Sequence, residues 1–102
     1  MEFKGQTAVV TGAAQGIGFA VATLLSARGV KVVSWDFDPA NAASMEKIGG
    51  TAISCDITDL AEGQAAYDET CKSVGIPTIL VNSAGVAGPN ATVEDYDLAA
   101  WN

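Results

Sequence analysis

Three glycines stand close together in the segment Thr11-Gly12-Ala13-Ala14-Gln15-Gly16-Ile17-Gly18. Such a segment does chemistry with its backbone. Gly12 lets the chain turn sharply off a strand, Gly16 removes a side chain where backbone must approach a pyrophosphate, and Gly18 lets a helix pack closely on a sheet. The helix that follows presents free N–H groups and the positive end of its dipole to an anion. The spacing is G-x-x-x-G-x-G, and glycines so placed also serve ordinary tight turns. The apolar run Thr7-Ala8-Val9-Val10 before them and the apolar-periodic stretch after them favour nucleotide binding over a structural turn.

Asp36 lies 18 residues after Gly18. A carboxylate there accepts hydrogen bonds from the adenosine ribose hydroxyls and repels a 2′-phosphate. Its neighbours are Trp35 and Phe37, and the turn carries Gln15, so no base stands ready for a phosphate. The pattern therefore favours NAD over NADP. The alternative role, capping a turn before Pro39, suits Asp38 better. Asp56 is placed to accept from an adenine amino group with Ile57 over the ring, although an Asp at such a position is often only a turn former.

These residues need elements to hold them. Thr7 to Thr11 reads as a strand, and Gly16 to Arg28 as a helix with Ile17, Ala20, Val21, Leu24 and Leu25 on its apolar face and Gly29 as its stop. Val30 to Trp35 is a second strand. Asp38 and Pro39 open a short helix that Gly49-Gly50 closes. Thr51 to Cys55 is a third strand. Asp59 with Glu62 resembles a capping box for a helix to about Ser73. Thr78 to Val81 is a fourth strand, and Val93 to Asn102 opens a further helix. The alternation predicts an α/β fold, a Rossmann-type doubly wound parallel sheet of strand order 3-2-1-4 with three crossover helices and the start of a fourth. The first two helices lie on one face and the third on the other. All 102 residues form one domain.

Composition narrows the function. The net charge of −7, from 12 acids and 5 bases, argues against nucleic acid and against anionic membranes as partners. No apolar run approaches the roughly 18 residues of a membrane span, and the start lacks a leader pattern. With no histidine and no ligand spacing around Cys55 and Cys71, no metal site is expected, and the cysteines read as reduced thiols of a cytoplasmic protein.

Four features in order, Thr11-Gly12-x-x-x-Gly16-Ile17-Gly18, Asp36, Cys55-Asp56-Ile57-Thr58 and Asn82-Ser83-Ala84-Gly85, resemble the short-chain dehydrogenase/reductase family over essentially the whole chain. The resemblance implies an NAD-dependent oxidoreductase that transfers hydride between a nicotinamide cofactor and an alcohol or carbonyl substrate. The cofactor-binding set it implies is Gly12, Gln15, Gly16, Ile17, Gly18, Asp36, Phe37, Asp56, Ile57, Asn82, Ala84 and Gly85. Asn82 would also tie the central strands together. The motif reads Asn-Ser-Ala-Gly where the family has Asn-Asn-Ala-Gly, and serine keeps a hydrogen-bonding group. S-adenosylmethionine, which also sits on glycine-rich turns, is the weaker match.

The family's chemistry uses a Ser and a Tyr-x-x-x-Lys pair. Tyr67 is followed at i+4 by Cys71 and Tyr96 by Ala100, so neither fits, no catalytic residue is assigned, and both tyrosines read as packing or surface residues. The chain is expected to be the N-terminal cofactor-binding portion of a longer pattern, inactive alone. The other readings are a non-catalytic nucleotide-binding module and a structural remnant needing a partner chain. An exposed fourth strand and an under-covered face on the third helix's side would favour self-association or homo-oligomers.

Overall fold

The computed structural model describes residues 3–83. Four strands, β1 (Thr7–Thr11), β2 (Lys31–Trp35), β3 (Thr51–Ile53) and β4 (Ile79–Asn82), alternate with helices α1 (Gly16–Ala27), α2 (Asn41–Ile48) and α3 (Leu60–Ser73). The sheet is parallel, in the order β3-β2-β1-β4, as the alternation required. The helix expected from Val93, together with Ala84, Gly85 and Tyr96, lies outside the described residues.

β1 is buried along its whole length, as a parallel strand covered on both faces must be. Ala8 and Val10 point to one side, where Ala22, Val32 and Met45 pack with half-buried Phe19 and Leu25 of α1. Val9 points to the other, against Val33, Trp35, Cys55 and Ala66. So α1 and α2 cover one face and α3 the other. On the α3 side Trp35 donates its indole N–H to Thr70 Oγ1 at 3.0 Å, and Thr70 donates to the Ala66 carbonyl at 2.8 Å. This relay pins a buried polar pair between β2 and α3 without an orphaned donor.

Three expectations are corrected. The buried face of α1 is not the stripe from Ile17 to Leu25. Gly18 and Ala22 are its buried residues, while Ile17 is 63% and Leu24 58% exposed. At Gly18 and Ala22 the helix lies close against the sheet, while Phe19 and Leu25 pack half-buried against the same core. Exposed apolar side chains stand on both sides of the sheet, Ile17 and Leu24 on α1 and Leu60, 89% exposed, at the start of α3. α2 begins two residues later than Asp38-Pro39 suggests, at Asn41. Asp38 instead closes a preceding turn, its carboxylate accepting from Ala40 N at 2.8 Å. And β3 stops at Ile53, so Cys55 is buried in the core without belonging to a strand.

Candidate functional site

The carboxyl ends of β1, β2 and β4 meet where the glycine segment leaves the sheet. Thr11 pairs with Trp35 on one side and Asn82 on the other. Gly12 follows with φ +72° and Gly16 with φ +65°, both in the left-handed region that glycine alone enters cheaply. A Cβ on Gly16 would meet nothing within 4 Å, so its side faces open space. Gly18 is needed for closeness. A Cβ there would collide with the Gly12 carbonyl oxygen and stand 2.5 Å from Ser83 Oγ.

The far side of the turn is tied to β4. Thr11 Oγ1 donates to Asn82 Oδ1 at 2.8 Å and accepts from Ser83 N at 3.1 Å, and the Ser83 hydroxyl donates to the Thr11 carbonyl. Asn82 thus links the two central strands, the structural half of its expected role. Ser83 fills the motif's second position with a hydroxyl bonded to β1 and pressed against Gly18.

Asp36 stands just past β2, half-buried, with both carboxylate oxygens occupied by backbone amides. Oδ2 accepts from Ala14 N at 3.2 Å and Oδ1 from Asp38 N at 3.0 Å. The residue expected to read the ribose is therefore bonded to the glycine turn itself. Each oxygen keeps lone-pair capacity for a further donor. Gln15, the residue before α1, makes no side-chain cap, and no acid occupies that helix's first turn. By contrast Asp59 caps α3, accepting from Ala61 N and Glu62 N. The N-terminus of α1 keeps its orphan donors available to an outside anion.

Asp56 is more occupied than its sequence role implied. Its Oδ1 accepts from both the amide (3.0 Å) and hydroxyl (2.6 Å) of Thr58, which hold its carboxyl below the ordinary carboxylate value. The capping box is shifted as well: Glu62 reaches back to Asp56 N at 3.0 Å rather than to Asp59. Asp56 is thus a turn former first. Ile17, Phe37 and Ile57 are all exposed, at 63%, 72% and 37%, along this rim.

Other groups matter less here. Tyr67 is half-buried against the α3-side core, and its hydrogen bond with Cys71 raises its pKa, the opposite of what a proton-transferring tyrosine needs. Burial pushes the Cys55 thiol up as well. A groove of about 460 Å³ lined by Lys31, Gly49, Thr51 and Ser73 opens at the amino end of the sheet, away from the glycine turn. No group of side chains suited to a metal occurs among the described residues, and no helix there is long and apolar enough to cross a membrane.

The bases are segregated along the strand direction. Lys4 precedes β1, Arg28 follows α1, Lys31 opens β2, and Lys47 and Lys72 lie in the last turns of α2 and α3. Helices run antiparallel to the strands they connect, so all five bases gather at the amino end. Asp36, Asp38, Asp56, Asp59 and Glu62 line the carboxyl end, where the glycine turn is.

Sequence reasoning missed two residues of α2. Ser44 donates to the Ala14 carbonyl at 2.5 Å, and Asn41 Nδ2 reaches the carbonyls of Ser34, Asp36 and Ile53 at 3.2, 3.2 and 3.4 Å. Nothing in their spacing announces partners so distant in sequence.

Comparison with known proteins agrees with this geometry. A family model described as enoyl-(acyl carrier protein) reductase matches residues 12–102. D-threitol dehydrogenase of Mycolicibacterium smegmatis is 38% identical over 96% of this chain and 40% of its own length. The 3-oxoacyl-[acyl-carrier-protein] reductase of Escherichia coli is 33% identical over 100% of this chain and 43% of its own. A crystal structure described as ribose-5-phosphate isomerase from Brucella melitensis 16M superposes with TM-score 0.71 at 38% identity, over 79% of this chain and 32% of that one. The chain spans about two fifths of the length of these curated relatives.

Proposed function

The chain belongs to the short-chain dehydrogenase/reductase family, and from that membership we propose that it forms the NAD-preferring cofactor-binding part of an oxidoreductase moving hydride between a nicotinamide and an alcohol or carbonyl. The observation that carries the reading is the Asp36 carboxylate bonded to Ala14 N, one residue from an α1 N-terminus that no side chain caps. The pyrophosphate lies over Gly12 to Gly18, with Gln15 and Ile17 at its edge. Asp36 receives the adenosine ribose hydroxyls, and Phe37, Asp56 and Ile57 border the adenine. Asn82 lies toward the nicotinamide ribose, the role that the resemblance also gives Ala84 and Gly85, which fall outside the described residues. The cofactor supplies the hydride chemistry; this chain's residues bind and orient it.

NAD preference follows from charge. The strands and helices put about 12–16 Å between the glycine turn and the five bases, beyond the screening length of about 8 Å in physiological salt. A 2′-phosphate at Asp36 meets acids and no counter-charge. The proposed activity uses a Tyr-x-x-x-Lys pair that does not occur in these 102 residues, so on this reading they bind the cofactor without turning it over.

Titration of tryptophan fluorescence with NAD⁺ and NADP⁺ tests the reading. NAD⁺ is expected to bind about tenfold tighter or better, with Asp36→Ala removing most of the difference. Equal affinities in the wild type would sink it.

A further inference from the structure

We propose that Ser44 is a positioning residue for the ribose-reading carboxylate, acting from α2 through the Ala14 peptide. The inference rests on the reading of Asp36 given above. Two bonds grip that one peptide unit from opposite sides: Ala14 N–H donates to Asp36 Oδ2, and the Ala14 carbonyl accepts from the Ser44 hydroxyl. Ala14 is itself almost wholly buried, so neither of its polar groups has bulk water as a substitute partner.

α2 is in turn fixed to the strand ends that carry Asp36. Asn41, its first residue, is 4% exposed and directs Nδ2 at three carbonyls, one of them that of Asp36. The amide's own oxygen has no partner among the described residues. Three carbonyls around the nitrogen fix which way the amide faces, so the orphaned oxygen is the cost of clasping β2 to β3 at this point. The result is a closed circuit: β2 end, Asp36, Ala14, Ser44, α2, Asn41 and back to the β2 end. Within it Asp36 cannot shift without moving either the glycine turn or α2.

A substitution that breaks the circuit at Ser44 leaves Asp36 in place with its Asp38 bond intact, but it frees the Ala14 peptide that orients Oδ2. Ribose recognition by hydrogen bonds demands fixed geometry at Asp36, whereas the pyrophosphate keeps Gly12, Gly16 and the α1 terminus, none of which Ser44 bonds. The loss is therefore selective for the ribose hydroxyls.

The test compares binding of NAD⁺ with its 2′-deoxyadenosine analogue, in the full-length polypeptide, for wild type, Ser44→Ala and Asp36→Ala. The wild type is expected to favour NAD⁺ by roughly tenfold, the size of one charge-assisted hydrogen bond. Asp36→Ala should abolish that preference, and Ser44→Ala should reduce it to about threefold or less, with Ser44→Thr restoring it. Equal weakening of both ligands by Ser44→Ala would make Ser44 a merely structural residue and overturn the proposal. A full preference retained in Ser44→Ala, with Asp36→Ala behaving as expected, would overturn it while leaving the role of Asp36 intact. A preference surviving Asp36→Ala would remove that role and the proposal together. If Ser44→Ala does not fold, Ser44→Cys keeps the side chain's size with a weaker donor, and the same ratio decides.

Discussion

Gly16 and Gly18 are two positions apart and are glycine for different reasons. Gly16 has φ +65° with open space beside it, whereas Gly18 has the Gly12 carbonyl and Ser83 where a Cβ would go. Gly16→Ala is expected to cost only about 1–2 kcal/mol of stability, from the left-handed backbone. It should weaken NAD⁺ binding more than its stability loss suggests, because the methyl faces the open side. Gly18→Ala should cost about 3 kcal/mol or more, since the nearest colliding atom is the Gly12 carbonyl oxygen, backbone that cannot swing away. Urea melts and nucleotide titrations of both variants separate the cases; equal stability losses would refute this division. The sequence announces both glycines and Asp36, because their types are what the local geometry needs. Ala14, Asn41 and Ser44 were illegible. Their contribution depends on which backbone groups lie opposite them, and that is set by how α2 docks.

At the scale of elements, order and type were legible and facing was not. Every described strand and helix falls within a few residues of its expectation, since parallel buried strands and capped helices carry strong local signals. The α1 face was misread because counting large apolar side chains favours Ile17 and Leu24. The helix was instead brought in close by Gly18 and Ala22, which a hydrophobicity pattern weighs least. The turn into α3 makes a separate prediction. Thr58 donors lower the Asp56 pKa, so the turn contributes stability fully present above the ordinary carboxylate pKa of 3.8 and lost as pH falls through the lower folded value. Thr58→Ala removes the hydroxyl donor, which is the larger cause. Its destabilisation should be greatest near about pH 6 and shrink toward about pH 3 in thermal melts across that range. A pH-independent difference would contradict the assignment.

Over the whole molecule, the segregation of bases from the glycine turn was latent in the sequence. Each Lys or Arg sits at a helix end or strand start, and helix dipoles favour cations at those C-terminal ends. It becomes visible only once a parallel sheet aligns those ends. One cation moved to the other rim should therefore change cofactor choice: Phe37→Arg, beside Asp36 and 72% exposed, is expected to tighten NADP⁺ binding by about tenfold. Unchanged NADP⁺ affinity would show that charge at this rim does not govern the choice. The pairing of β1 with β4 carries another consequence. Thr11 and Asn82, bonded to each other, are 71 residues apart, with β2, β3 and all three helices between them. The glycine turn leaves a ribosome before β2 and β3, yet its β4 wall is the last described strand to emerge. Nascent chains stalled with Asn82 still in the exit tunnel should consequently fail to retain NAD⁺, and those stalled well beyond it should hold it.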